Sequence, residues 1–152
     1  MSQILVTGAN GFVGRGLCDA LRTRGIAVVP AVRKINQASD VAVGDLSAAT
    51  DWRLALQNCD AVIHLAARVH VMNETASDPL DAFRSVNVEA TVNLARQAIT
   101  AGVSRFVFVS SVKVNGEETS ERPYTAFDEP APTDPYLSLI HISEPTRRYA
   151  IS

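Results

Sequence analysis

The fold follows from the motif Gly8-Ala9-Asn10-Gly11-Phe12-Val13-Gly14, which has the pattern G-x-x-G-x-x-G. The apolar run Ile4–Val6 precedes it, as in a strand buried on both faces of a parallel sheet. Helical spacing follows it, at Gly14, Leu17, Cys18 and Leu21. Glycines between a strand and a helix let the backbone turn tightly and approach a phosphate at the positive end of the helix dipole. Taken alone, the motif is also compatible with a glycine-rich turn that binds no ligand.

Strands and helices alternate along the rest of the chain. The sequence predicts strands at 27–32, 41–43, 61–65 and 105–110, and helices at 50–56 and from a cap at Asp78 to Gly102. This alternation implies an α/β protein with a Rossmann-like, doubly wound parallel sheet. From Asn115 to Pro135 the chain is acidic and rich in proline, which predicts a long loop of the kind that usually belongs to a site.

Composition narrows the partners and the location of the protein. A chain of 152 residues with a net charge of -2 suits one globular domain, and it offers no basic surface to nucleic acid or to a lipid membrane. No 18 consecutive residues are apolar and no signal peptide is recognisable, so we expect a cytoplasmic protein. Cys18 and Cys59 lack the spacing of a metal or redox motif, and we expect two buried thiols and no metal site.

The glycine spacing in 8–14, with Asn10 and Phe12-Val13 between the glycines, resembles the extended short-chain dehydrogenase/reductase family, and within it the NAD-dependent epimerases and dehydratases. Further segments that resemble this family follow in the expected order: Gly44-Asp45-Leu46, His64-Leu65-Ala66-Ala67, Asn87-Val88, Ser110-Ser111 with Val114-Asn115-Gly116, and Thr133-Asp134-Pro135-Tyr136. The resemblance covers residues 1–136, and its specificity lies in the whole ordered set.

The resemblance implies a site for NAD or NADP. The residues that it assigns to the cofactor are Gly8, Asn10, Gly11, Phe12, Val13, Gly14, Arg33, Asp45, Leu46, Leu65, Ala66, Ala67 and Ser110. NAD enzymes usually place an acidic residue after the second strand, whereas this chain has Val32-Arg33-Lys34. Two cations there suit the 2′-phosphate of NADP, and a solvated basic turn is the other explanation. We therefore favour NADP and leave NAD open.

The resemblance also implies a catalytic pair, Ser111 and Tyr136, which lie 25 positions apart as in the family. In the family the tyrosine takes a proton from a sugar hydroxyl while hydride passes to the nicotinamide, and the serine holds the reacting oxygen. A tyrosine with a pKa of about 10 is only about one part in a thousand ionised at pH 7. The family's lysine four positions later raises that fraction, but position 140 is Ile140, so the triad is incomplete.

The segment 137–152 departs from the family pattern. It contains neither the lysine nor the long amphipathic helix that the family has there, and it resembles the translation of a transposase sequencing adapter. We expect 137–152 to be a non-native tail and 1–136 to be a truncated NAD(P)-binding Rossmann-like domain, incomplete at its C-terminal side. A genuine divergent tail is the alternative.

These observations give one leading functional hypothesis and two alternatives. The parent protein would be a nucleotide-sugar epimerase, dehydratase or 4-dehydrogenase of polysaccharide biosynthesis that acts on a nucleotide-sugar substrate. It could form a homodimer. This chain itself would be inactive. One alternative is a reductase of steroid-like or flavonoid-like ketones. The other is a non-catalytic protein that binds NAD(P) and senses the redox state.

Overall fold

A parallel sheet forms the centre of this computed structural model, which describes residues 3–68, 79–119, 122–125 and 127–133. Its order is β3-β2-β1-β4-β5 and every pairing is parallel. The strands are β1 (Gln3–Thr7), β2 (Ala27–Val32), β3 (Val41–Ala42), β4 (Cys59–His64) and β5 (Arg105–Phe108). The chain order reverses between β1 and β4, which confirms the predicted Rossmann-like sheet and places a crevice at the carboxyl ends of these two strands.

Helices connect β1 to β2 and β4 to β5, whereas loops and turns connect β2 to β3 and β3 to β4. The helices are α1 (Phe12–Thr23), α2 (Pro79–Arg84) and α3 (Ala90–Thr100), with a π-helical turn over Ser85–Glu89 and a 3₁₀ turn over Val112–Asn115. In the π turn, the N–H of Ala90 donates to the carbonyl of Ser85, five residues back. The predicted helix that ends before Gly102 is confirmed, since Gly102 takes a φ of +78° just past its end. The predicted cap Asp78 lies outside the described residues.

The helix predicted at 50–56 is wrong. One helical bond forms, from the N–H of Leu56 to the carbonyl of Trp52 at 2.8 Å, but the next bonds span three residues and the segment is a series of turns. The reason is competition from side chains, because the carbonyl of Thr50, which a helix would pair with the N–H of Leu54, accepts instead from Asn93 Nδ2 at 2.7 Å and Gln97 Nε2 at 2.8 Å. These contacts satisfy the backbone without a helix.

Two apolar layers cover the sheet. Leu5 points to the layer that contains Leu94 and Trp52, whereas its neighbour Val6 points to the layer that contains Cys18 of α1. Leu5 and Val6 are both fully buried, as predicted for a strand covered on both faces. Cys18 and Cys59 are buried free thiols, and burial raises the pKa of each.

Candidate cofactor and active site

The glycine turn packs tightly between β1 and α1. Gly8 has a φ of +66°, a conformation that residues with a side chain rarely adopt. A Cβ at Gly8 would lie 3.0 Å from the amide nitrogen of Ala66, and one at Gly14 would lie 2.2 Å from the carbonyl oxygen of Gly8. The missing side chains therefore let three backbone segments meet at the carboxyl end of the sheet.

The N-terminus of α1 is open. Gly11 precedes it in an extended conformation, no side chain caps it, and its first turn contains no acidic residue. The first N–H groups of an α-helix have no partners within the helix, so this end can receive the negative charge of a phosphate. Arg15 steadies the turn, since its Nε donates to the carbonyl of Asn10 at 2.9 Å.

A cleft of about 1020 Å³ lies at the carboxyl ends of β1, β2 and β4. Seven of the residues predicted to bind cofactor line it: Gly8, Asn10, Arg33, Asp45, Leu46, Ala66 and Ala67. A smaller pocket of about 200 Å³ shares Ala66 and Ala67 with this cleft and continues to Val13, Leu65, Ser110 and Ser111. The structure thus brings most of the predicted residues into one track. The side chain of Phe12 is 98% exposed and lines neither space.

Ser110 and Ser111 lie at the far end of this track, where β5 leads into the 3₁₀ turn. Ser111 precedes that turn, and its Oγ accepts from the N–H of Lys113 at 3.3 Å. The Oγ of Ser110 is buried and has no hydrogen-bond partner among the described residues. A buried hydroxyl without a partner is costly, and a bound polar group would satisfy it. Tyr136 lies outside the described residues, so its approach to Ser111 stays a prediction.

An ion pair joins two of the predicted cofactor residues at the opposite end. Arg33 Nε, after β2, lies 2.9 Å from Asp45 Oδ1, after β3. The two side chains are 73% and 86% exposed, so solvent screens the pair and it contributes at most about 1 kcal/mol. A ligand can therefore break it at little cost.

Sequence reasoning missed the role of Asn87. From the π turn, its Oδ1 accepts from the N–H of Arg68 at 2.8 Å and its Nδ2 donates to the carbonyl of Arg68 at 3.0 Å. This pair of bonds fixes the chain just after the Ala66-Ala67 segment. The available signal was a polar residue on the apolar face of a helix, since Asn87 is 3% exposed. Arg68 and Trp52 also line the large cleft and were not predicted.

His64 is a packed residue at the end of β4. The side chain is 1% exposed and hydrogen-bonds to Thr7 and Thr91. Burial lowers the pKa of His64 to about 4, so the ring is neutral near pH 7.

Similarity to known proteins gives the family. Residues 4–150 match the model of the NAD-dependent epimerase/dehydratase family. The chain belongs to this family. The match includes most of the segment predicted as a tail, 137–152, which lies outside the described residues, and the tail stays a prediction.

Individual relatives fit this assignment. A UDP-glucose 4-epimerase of Vibrio cholerae is 46% identical over 139 residues, which cover 88% of this chain and 42% of the relative. A 3-beta-hydroxysteroid dehydrogenase of Mycolicibacterium neoaurum is 34% identical, over 82% of this chain and 38% of the relative. The solved structure of MoeE5 with UDP-glucose and NAD is 31% identical with a TM-score of 0.79, and the match covers 95% of this chain and 47% of MoeE5. The chain thus spans less than half of each of these proteins.

The described residues include neither a membrane-spanning helix nor a metal-binding cluster. No helix among them is long and apolar enough to cross a membrane. In the same part of the chain, no three His, Cys, Asp or Glu side chains cluster as a metal ion would require.

Proposed function

We propose that the whole protein is an NAD(P)-dependent enzyme that epimerises, dehydrates or oxidises a nucleotide sugar. The observation that carries the proposal is the track that leads from the glycine turn and the Arg33–Asp45 pair, along Ala66-Ala67, to Ser111. The glycine turn would supply a phosphate site within this track, and Ser111 would supply a hydroxyl at the end away from the Arg33–Asp45 pair. The relatedness to a UDP-glucose 4-epimerase and to MoeE5, solved with UDP-glucose and NAD, supports a nucleotide sugar as the substrate.

The residues present fit a dinucleotide. The N–H groups at the start of α1 and the glycine turn would hold the pyrophosphate, while Asp45 and Leu46 would contact the adenine. Ala66 and Ala67 would lie along the cofactor, and the buried hydroxyl of Ser110 would bond its nicotinamide end. When bound, the cofactor supplies the hydride acceptor for the reaction.

We propose NADP as the preferred cofactor. Three cations line the large cleft, Arg33, Lys34 and Arg68, and Arg33 stands at the place where NAD enzymes usually have an acidic residue. A 2′-phosphate would compete with Asp45 for Arg33 and would meet a side chain whose present ion pair is weak. NAD is the alternative, and MoeE5 was solved with NAD.

The proposed chemistry divides between two hydroxyl groups. Ser111 would hold the reacting oxygen of the sugar, and the phenolate of Tyr136 would take its proton. With Ile140 in place of the family's lysine, no cation four positions away favours that phenolate, so we propose that this chain is inactive. A cytoplasmic location, a homodimer and a role in polysaccharide biosynthesis complete the proposal for the whole protein.

A fluorescence titration tests the cofactor part of this proposal. Trp52 is the single tryptophan and lines the cleft, so its emission should change when NADPH or NADH binds. We expect NADPH to bind more tightly than NADH, and Arg33→Ala to remove that preference with a loss of roughly tenfold for NADPH. The matched control is Arg53→Ala, which removes another exposed arginine paired with an aspartate, Asp51 at 2.6 Å.

Each part of the titration has its own refuting outcome. Failure of both dinucleotides to bind would contradict the cofactor site, and an equal loss with Arg53→Ala would contradict the role of Arg33.

The catalytic part of the proposal is tested by resequencing the parent gene from an independent library through codon 140. A lysine there supports the enzyme, whereas a confirmed Ile140 favours a binding protein.

A second candidate rests on one observation, the relatedness to a 3-beta-hydroxysteroid dehydrogenase. That activity would use the same track and the same two hydroxyl groups on a steroid alcohol. Activity of the full-length gene product on a UDP-sugar against a 3-hydroxysteroid separates the two candidates.

A further inference from the structure

A buried polar chain lies beneath the proposed cofactor track, and His64 is its centre. His64 ends β4, with Nδ1 2.6 Å from Thr7 Oγ1 and Nε2 3.0 Å from Thr91 Oγ1. Its ring packs against Phe106 and Phe108, with centroid distances of 6.2 Å and 5.8 Å. The histidine therefore joins β1 to α3 and leaves neither ring nitrogen without a partner.

The hydrogen bonds around Thr7 determine where the proton of this ring lies. The N–H groups of Leu65 and Ala66 both donate to Thr7 Oγ1, at 3.1 Å each. A hydroxyl oxygen has two lone pairs, and these two bonds use both. The hydroxyl hydrogen of Thr7 must then be the donor to His64, so that Nδ1 is the acceptor and carries no proton.

The direction of the hydrogen bond from Thr7 to Nδ1 also fixes the bonds on the Nε2 side of His64. A neutral imidazole without a proton on Nδ1 carries one on Nε2, which donates to Thr91 Oγ1. Thr91 in turn donates its hydroxyl hydrogen to the carbonyl of Asn87 at 2.9 Å. Every donor in this series of hydrogen bonds has an acceptor, and each group from Thr7 to Thr91 donates to the next, ending at the carbonyl of Asn87.

We propose that His64 is a positioning residue of the cofactor site, held as the neutral Nε2–H tautomer so that Thr7 can hold the backbone of Leu65 and Ala66. This inference rests on the proposed function for its role, because Ala66 lines both parts of the track and lies against Gly8. A ring with a proton on Nδ1 would face an oxygen that has no lone pair left. Thr7 would then lose a bond to Leu65 or Ala66, and the track would shift.

The tautomer can be measured directly on the ¹⁵N-labelled 152-residue chain. In a long-range ¹H–¹⁵N correlation spectrum, we expect Nδ1 of His64 to have the shift of an unprotonated nitrogen and Nε2 that of a protonated one. The opposite assignment would overturn the proposal. This result does not depend on whether any dinucleotide binds, so it is separate from the test of the proposed function.

A pair of substitutions at Thr7 tests the positioning role. Thr7→Val keeps the shape but removes the hydroxyl, whereas Thr7→Ser keeps the hydroxyl. We expect Thr7→Val to speed hydrogen exchange of the Leu65 and Ala66 amides and to weaken dinucleotide binding about tenfold, and Thr7→Ser to restore both. The control is Thr23→Val on α1, where the hydroxyl bonds only to the carbonyl of Asp19 in the same helix.

The exchange and binding results distinguish the role of Thr7 from the proposed cofactor site. Unchanged amide exchange in Thr7→Val would refute the positioning role, as would the same change in Thr7→Ser. Amide exchange could respond as expected while neither the 152-residue protein nor its variants bind NADPH or NADH. In that case the buried series of hydrogen bonds is supported. The proposed cofactor site and the role of His64 in it are both refuted.

Discussion

Replacing Gly14 with alanine should destabilise the chain, because the added Cβ has no room. It would lie 2.2 Å from the carbonyl oxygen of Gly8, and 2.8 Å and 2.9 Å from Cα and the carbonyl carbon of Ala9. All three are backbone atoms, so no side chain can rotate away. The start of α1 would have to move from the turn by roughly 1 Å.

The size of the effect follows from comparison with Gly16 on the same helix. Overpacking of this kind costs about 1–3 kcal/mol of the free energy of unfolding. A Cβ at Gly16 would meet nothing within 4 Å, so Gly16→Ala should gain the helix preference of alanine, about 0.5–1 kcal/mol. Gly14 also lies in α1 and would gain the same helix preference, so the two variants should differ by the overpacking cost alone, about 1–3 kcal/mol, a substantial part of the 5–15 kcal/mol typical of a domain.

Urea unfolding of the 152-residue chain measures this difference. The emission of Trp52, which is fully buried, reports the transition. We expect a lower midpoint for Gly14→Ala, a higher one for Gly16→Ala, and weaker dinucleotide binding for Gly14→Ala alone. Equal midpoints for the two variants would refute the packing argument.

Two further predictions concern the buried polar contacts. Because burial lowers the folded pKa of His64 from 6.5 to about 4, the unfolded chain takes up the proton first, and the free energy of unfolding should fall by up to about 3 kcal/mol as the pH drops from 6.5 to 4; urea midpoints across this range check it, and an equal fall in His64→Asn would contradict it. Gln97→Leu should cost about 1–3 kcal/mol in the same assay, because it leaves the N–H of Trp52 without its partner and removes one of the two bonds to the carbonyl of Thr50, which keeps its bond from Asn93. The exposed Gln57→Leu should cost little, and equal costs would refute this.

The parallel sheet and the glycine turn could be predicted because their signals are local. Ile4–Val6 is apolar without interruption, and the glycines of 8–14 follow it directly, so a short window of sequence contains the strand, the turn and the helix start. The segment 50–56 could not be predicted in this way. Its conformation depends on Gln97, which lies 45 residues from Trp52 in the chain, and no local pattern shows such a contact.

The site, like the fold, has features that the sequence predicted and features that it did not. Family-like motifs predicted the residues that line the track, but the direction of the bonds that hold it depends on distances among Thr7, His64 and Thr91 that only the structure gives. Asn87 was visible as part of a motif, yet its bonds to the backbone of Arg68 were not. Sequence therefore predicted the lining of the track, and the buried supports beneath it had to be observed.

The glycine turn and the Arg33–Asp45 end of the proposed cofactor site differ in how firmly they are built, and this difference bears on how cofactor preference can change. The turn at Gly8 and the backbone at Ala66 are fixed by close packing and by buried hydrogen bonds, so a substitution there should affect NAD and NADP alike. Arg33 and Asp45 are exposed and joined by a weak pair, so a substitution there leaves the packing intact. Substitutions at the exposed Arg33–Asp45 end can therefore change the preference between the two dinucleotides, while the closely packed glycine turn keeps the geometry that both cofactors need.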